Sequence, residues 1–208
     1  DHETPAEWAS AVEDAGYAAA FCPVEPDASS EAIAAYAAAA DDAGVTVAEV
    51  PAFGYNPISP DDEEREASLA ACKERLALAD EIGAACCVNV SGSRNPDNWA
   101  GPDPANLTPE TFDRVVDSVR EIIDDVNPTD AAYTLETMPW SYPDTVESYR
   151  RLLDAVDREQ FGVHFDPVNL VSSPQRDFDT AGLIESFVAE LGDDIRSGHL
   201  KDVRMTED

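Results

Sequence analysis

The sequence predicts an α/β protein built as a parallel (β/α)8, or TIM, barrel, and three observations carry that reading. Short apolar runs alternate with helical patterns along the 208 residues, and such alternation implies a parallel sheet with right-handed crossovers. Three successive runs each end in a metal-type ligand: Tyr133-Thr134-Leu135-Glu136, Gly162-Val163-His164-Phe165-Asp166 and Ile195-Arg196-Ser197-Gly198-His199. These ligands stand 30 and 33 residues apart, and a barrel of roughly 250 residues allots about 31 to each βα unit. Consecutive units therefore bring Glu136, Asp166 and His199 to one rim.

The elements follow in order. Thr4-Pro5-Ala6-Glu7 supplies a hydroxyl N-cap, proline at the first helical position and an acid at the third, which predicts a helix near 5–15. Gly16 stops it, and a strand follows near 18–24. The Ala-rich helix near 30–43 ends at Gly44 and leads to a strand near 45–50. Ser59-Pro60-Asp61-Asp62 repeats the first start signal and opens a helix near 60–82. Within it Leu69, Cys72, Leu76, Ala79 and Ile82 recur at intervals of three and four, a single stripe to be buried. Gly83 leads to a strand near 85–90, and then comes the longest loop, about Ser91 to Leu107, which holds Trp99 among Gly, Pro, Asn and Asp. Loops after strands form the catalytic face of such barrels, so this one is a candidate lid. Thr108-Pro109-Glu110 starts a helix near 109–126, followed by a strand near 132–136. Tyr142-Pro143-Asp144 opens a helix near 144–157 before the strand near 162–166, and a helix near 179–191 runs to Gly192 before the strand near 195–200.

Asp1 stands almost directly before a helix and Asp208 just after a strand. The expectation is a single barrel domain over 1–208, truncated at both ends, with the first strand and the eighth unit missing. A glutamate is then expected about 30 residues beyond His199, at the end of the next strand.

Forty-four acidic against thirteen basic residues give a net charge of −31, while 43% of the residues are hydrophobic, enough for a real core. The charge weighs against nucleic acid, since phosphate contact needs basic patches and Arg and Lys are scattered here. It fits a cytoplasmic protein of a halophile, because at molar salt the Debye length falls to about 3 Å and self-repulsion is screened. The melting temperature is therefore expected to rise from dilute buffer to molar KCl; a flat or falling trend would contradict this reading. Cys22, Cys72, Cys86 and Cys87 show no C-x-x-C spacing and read as buried free thiols. The sequence carries no signal peptide or long apolar span, so nothing suggests export or a membrane.

Side chains alternate along a strand, so Thr134 points with Glu136, His164 with Asp166 and Ser197 with His199, and in a barrel that face is the interior. Two carboxylates and an imidazole make a hard, oxygen-rich site for one divalent ion: Mn²⁺, Mg²⁺ or Co²⁺, with Zn²⁺ a further option.

Three segments, Thr134-Leu135-Glu136-Thr137-Met138-Pro139-Trp140, Val163-His164-Phe165-Asp166-Pro167-Val168-Asn169-Leu170 and His199-Leu200-Lys201-Asp202-Val203, resemble the xylose isomerase-like barrels of the sugar phosphate isomerase/epimerase superfamily. The resemblance implies a Glu, an Asp, a His and a second Glu on strands five to eight around one metal. The first three map onto Glu136, Asp166 and His199; the fourth has no counterpart within the sequence. It further implies a sugar or polyol substrate, held on the metal through two adjacent oxygens, with a proton moved between neighbouring carbons through an enediolate. Glu136 is then one catalytic acid/base and the strand-eight Glu the other. Candidates for substrate contact are Asn169 and Lys201, just past ligands, with Trp140 and Trp99 as walls of the sugar pocket. His164, pointing inward behind Asp166, joins them, although a place behind the ligands or in the core suits it as well. His2 and Glu49, where the first and third strands end, complete the candidates. Assembly into a homo-oligomer stays open. The competing readings are a metal-dependent dehydratase of the inosose or dehydroshikimate type, an apurinic endonuclease, and a barrel that binds sugar without turnover. The endonuclease sites need many histidines, and this chain has three.

Overall fold

Every predicted strand and helix is present in the computed structural model, which describes residues 4–203. The order is α1 (Pro5–Asp14), β1 (Ala19–Phe21), α2 (Ser30–Ala43), β2 (Thr46–Pro51), α3 (Asp62–Ile82), β3 (Cys86–Asn89), α4 (Pro109–Val126), β4 (Ala132–Glu136), α5 (Val146–Val156), β5 (Phe161–Phe165), two short helices α6 (Pro167–Leu170) and α7 (Pro174–Phe178), then α8 (Thr180–Leu191) and β6 (Ile195–Gly198). The six strands form one sheet in sequence order, every neighbouring pair parallel. The sheet curls as part of a barrel. Its curvature brings β6 across the interior to β3, where Ser197 Oγ lies 3.1 Å from Cys86 Sγ.

Local chemistry sets most boundaries. Thr4 and Thr108 cap α1 and α4 through their hydroxyls, each with proline following. Two start signals resolve differently from the sequence reading. Ser59 does not cap α3: its hydroxyl donates to Glu64 at 2.6 Å, and Asp61 takes the cap by accepting from the Glu64 N–H at 2.9 Å. The cap of α5 is Thr145, in a reciprocal capping box with Ser148, so the helix starts after Tyr142-Pro143-Asp144. Gly44 and Gly83 end their helices in the left-handed conformation, whereas Gly192 keeps φ at −55° and continues into a 3₁₀ turn.

The outer face of the sheet is the core. Leu69, Cys72, Leu76, Ala79 and Ile82 of α3 are all buried, as the stripe predicts. Tyr149 of α5 places a fully buried hydroxyl over the β4–β5 ladder, donating to the Leu135 carbonyl at 2.6 Å and accepting from the His164 N–H at 3.1 Å. It fixes α5 to the two strands that carry Glu136 and lead into Asp166. The cysteines are free thiols, Cys22 half-buried and the others buried; burial pushes Cys72 and Cys86 up to about 11, which leaves them protonated and unreactive near neutral pH.

Asp80, near the end of α3, accepts from the backbone N–H groups of Thr129, Asp130 and Ala131 at 2.8–3.0 Å, tying that helix to the entry of β4. Partial burial would raise its carboxyl, but the three donors outweigh it and hold the group below its ordinary value. A depressed folded pKa gives stability that is present above the unfolded value and is lost as pH falls through the folded one. Asp80→Ala is therefore expected to lower stability by about 2 kcal/mol near neutral pH. The difference from wild type should shrink as the carboxylate protonates, and urea unfolding across the acid range measures both.

The 91–107 loop, the candidate lid, is braced by side-chain hydrogen bonds. Asn56 and Ser93 exchange two hydrogen bonds at 2.8 and 3.0 Å, Asn106 accepts from the Arg94 N–H at 2.7 Å, and the Arg94 guanidinium donates to the Ile58 carbonyl at 2.6 Å. Gly92 makes this docking possible, since its φ is +99° and a Cβ there would lie 2.1 Å from Asn56 Oδ1. Among the described residues no helix is long and apolar enough to cross a membrane.

Candidate metal centre

Because all six strands run parallel, their C-terminal ends share one rim. Glu136 closes β4, Asp166 follows β5 as the residue before α6, and His199 follows β6. The three converge as the unit spacing predicts: His199 Nδ1 lies 3.3 Å from Glu136 Oε1 and 3.6 Å from Asp166 Oδ2. Glu136 is 7% and Asp166 0% exposed. The Thr137 hydroxyl donates to the Asp166 carbonyl at 2.9 Å, which fixes the backbone where the strand ends.

Glu49 of β2, one of the remaining sequence candidates, belongs to this cluster. It is 5% exposed, and Oε1 lies 3.0 Å from His199 Nε2 while Oε2 lies 3.3 Å from His164 Nδ1. His164 is fully buried behind the ligands, 2.7 Å from the Ser197 hydroxyl, with its ring edge-on to His199 at 4.3 Å between centroids. Asn169 on α6 turns back and donates to Glu136 Oε1 at 2.9 Å. The Lys201 ammonium rests against Asp166 Oδ2 and 3.7 Å from Glu136 Oε1. Trp140, 39% exposed, donates its indole N–H to the Ala100 carbonyl at 2.8 Å, fastening the turn after β4 to the braced loop, in which Trp99 is half-buried. His2 lies outside the described residues. Sequence reasoning missed Phe21 and Phe53, whose rings flank His199 at 6.4 Å; an exposed aromatic at or just past the end of a strand is the signal that marks them.

The carboxylates share their charge unevenly. Burial raises Glu136 above the ordinary carboxyl range, and the adjacent Asp166 raises it further. Asp166 is pushed up by burial too, but Glu136 and the Lys201 ammonium outweigh that and hold it low. Glu49 is likewise held low against its burial, first by His164 and then by His199. Asp166 Oδ1 is buried without a partner, as is His164 Nε2, while Oδ2 meets the Lys201 ammonium. Leaving such groups unsatisfied is costly. A cation between Glu136, Asp166 and His199 satisfies Asp166 Oδ1 and replaces the charge that Lys201 supplies, so the donor set fits a divalent ion.

A profile of the family described as xylose isomerase-like TIM barrel matches residues 9–208. The chain belongs to that family. A search of curated proteins finds no match. Among solved structures, this xylose isomerase-like barrel is similar to 3-keto-D-glucoside 4-epimerase YcjR from E. coli, with TM-score 0.69 at 14% identity over 96% of this chain and 74% of that one. It is equally similar to the probable 3-DHS dehydratase AsbF from Bacillus anthracis, with TM-score 0.71 at 14% identity over 96% of this chain and 68% of that one. Endonuclease IV from Thermus thermophilus superposes with TM-score 0.72 at 15% identity, over 95% of this chain and 71% of that one. At such identities the likeness shows the fold; an epimerase, a dehydratase and an endonuclease share it, so function has to be argued from the site.

Proposed function

We propose that this protein is a divalent-metal-dependent isomerase or epimerase of a sugar or sugar phosphate. The observation that carries the reading is the convergence of Glu136, Asp166 and His199 on one rim, with Oδ1 of the buried Asp166 lacking a partner. These three residues would hold the ion. When bound, it supplies the positive charge that polarises a substrate carbonyl and stabilises the negative oxygen developing beside it.

The remaining steps belong to the chain. Glu136 is one of the two acid/bases that would move a proton by way of an enediolate, since a carboxylate at the rim can both accept and release one. Asn169 holds Oε1 of that carboxylate and leaves the other oxygen to the proton. Lys201, anchored on Asp166, has its side chain 46% exposed and can meet substrate hydroxyls or a phosphate. Trp140, Phe21 and Phe53 offer apolar faces at the rim, and Trp99 is the further wall. The acidic surface suits a salt-rich cytoplasm.

The test is incubation with Mn²⁺ and a panel of ketoses and aldoses in deuterated water, followed by NMR. Deuterium at the carbon beside the carbonyl, together with an isomeric product, supports the reading. Loss of water from the sugar would instead establish the dehydratase, which can use the same ligands, and no uptake with any sugar would favour a barrel that binds without turnover.

A further inference from the structure

His199 stands between two carboxylate groups. Its Nδ1 faces Glu136 Oε1 at 3.3 Å and Asp166 Oδ2 at 3.6 Å, while its Nε2 faces Glu49 Oε1 at 3.0 Å. The two nitrogens of an imidazole point away from each other, so an ion on Nδ1 cannot also be held by the Glu49 oxygen at Nε2. A neutral imidazole carries a single proton, and an ionised carboxylate can only accept. We propose that Glu49 is a positioning residue: it takes the Nε2–H of His199, and thereby fixes both the tautomer and the ring angle that present the Nδ1 lone pair to the ion between Glu136 and Asp166. A carboxylate behind a metal-bound imidazole does this in many metal sites.

Glu49 is held for the task. It is 5% exposed, on β2, and its second oxygen lies 3.3 Å from Nδ1 of the buried His164, which is set in turn by the Ser197 hydroxyl at 2.7 Å. Ser197 precedes His199 by two residues on the same inward face. Glu49 and His164 both contact His199 and each other, a closed set of contacts in which Glu49 and His199 are 150 residues apart in sequence. Such a closed set of buried polar contacts restricts the ring more than either contact alone.

The inference rests on the metal reading above, and the experiment separates the two. Mn²⁺ affinity is measured by calorimetry on wild type and on Glu49→Ala, Glu49→Gln and Asp166→Ala, each checked for cooperative thermal unfolding. The side-chain nitrogens of the histidines are followed in metal-free protein by long-range ¹H–¹⁵N NMR, with His199→Gln identifying the His199 signals. Wild-type His199 is expected as the Nε2–H tautomer. Glu49→Ala should lower Mn²⁺ affinity about 10- to 100-fold and mix the tautomers. Glu49→Gln, whose amide oxygen still accepts from Nε2–H, should recover most of both. If Asp166→Ala abolishes binding while Glu49→Ala leaves affinity and tautomer unchanged, this inference fails and the metal reading stands. An Nδ1–H tautomer in wild type overturns it without any variant. Mn²⁺ binding that survives Asp166→Ala but not Glu49→Ala would place the ion on the Glu49, His164 and His199 side, and would overturn both.

Discussion

Replacing Asp166 by alanine is expected to abolish binding of a divalent ion, with affinity falling on the order of 10²-fold or more, since ligand charge and number tune hard-cation sites over several decades. Asp166 is fully buried, its Oδ1 has no partner and its Oδ2 meets the Lys201 ammonium. A divalent ion would take up the oxygen that is left without a partner. Removing it also removes the carboxylate that raises Glu136, so the pocket relaxes electrostatically and the variant should fold. Two measurements read the result. Calorimetry with Mn²⁺ should show a single site in wild type and none in the variant. Thermal unfolding should show a metal-dependent rise in wild type alone, because an ion at a hundred times its Kd stabilises by about 2.7 kcal/mol. Unchanged stoichiometry and an unchanged thermal response in Asp166→Ala would end the metal reading.

What could be read from sequence divides along physical lines. Glu136, Asp166 and His199 were legible because the βα period fixes where a residue stands on the rim, and the pleat fixes which way it points. Glu49 was harder to read. It sits in the apolar run Val45-Thr46-Val47-Ala48-Glu49-Val50, where a carboxylate needs a partner, and its partner His199 arrives from 150 residues away. The contact of Asn169 with Glu136 was not legible, because the four-residue helix α6, too short to show a period, turns it back toward the strand ends. The caps show the same limit at short range. Ser59 and Asp61 are both good N-cap residues, and the choice fell to Asp61 because the Ser59 hydroxyl is engaged by Glu64. The bracing of the 91–107 loop depends on a pairing of Asn56 with Ser93, which no local pattern announces.

Glu136→Gln is expected to cut exchange of substrate hydrogen with deuterated water by about 10²-fold or more, the usual contribution of a positioned acid/base. The substitution keeps size and burial, and an amide oxygen can still accept from the Asn169 side chain as the carboxylate does at 2.9 Å. What it removes is a negative charge and a group able to take a proton. Those losses act on different quantities. A weaker ligand lowers metal affinity, which excess Mn²⁺ can restore; a missing base lowers turnover even when the site is full. Exchange should therefore be measured at saturating Mn²⁺, with occupancy confirmed by metal analysis. If the rate returns to wild type once the site is filled, Glu136 serves as a ligand alone and the proton must be moved by another group. If it stays low at full occupancy, Glu136 moves the proton itself.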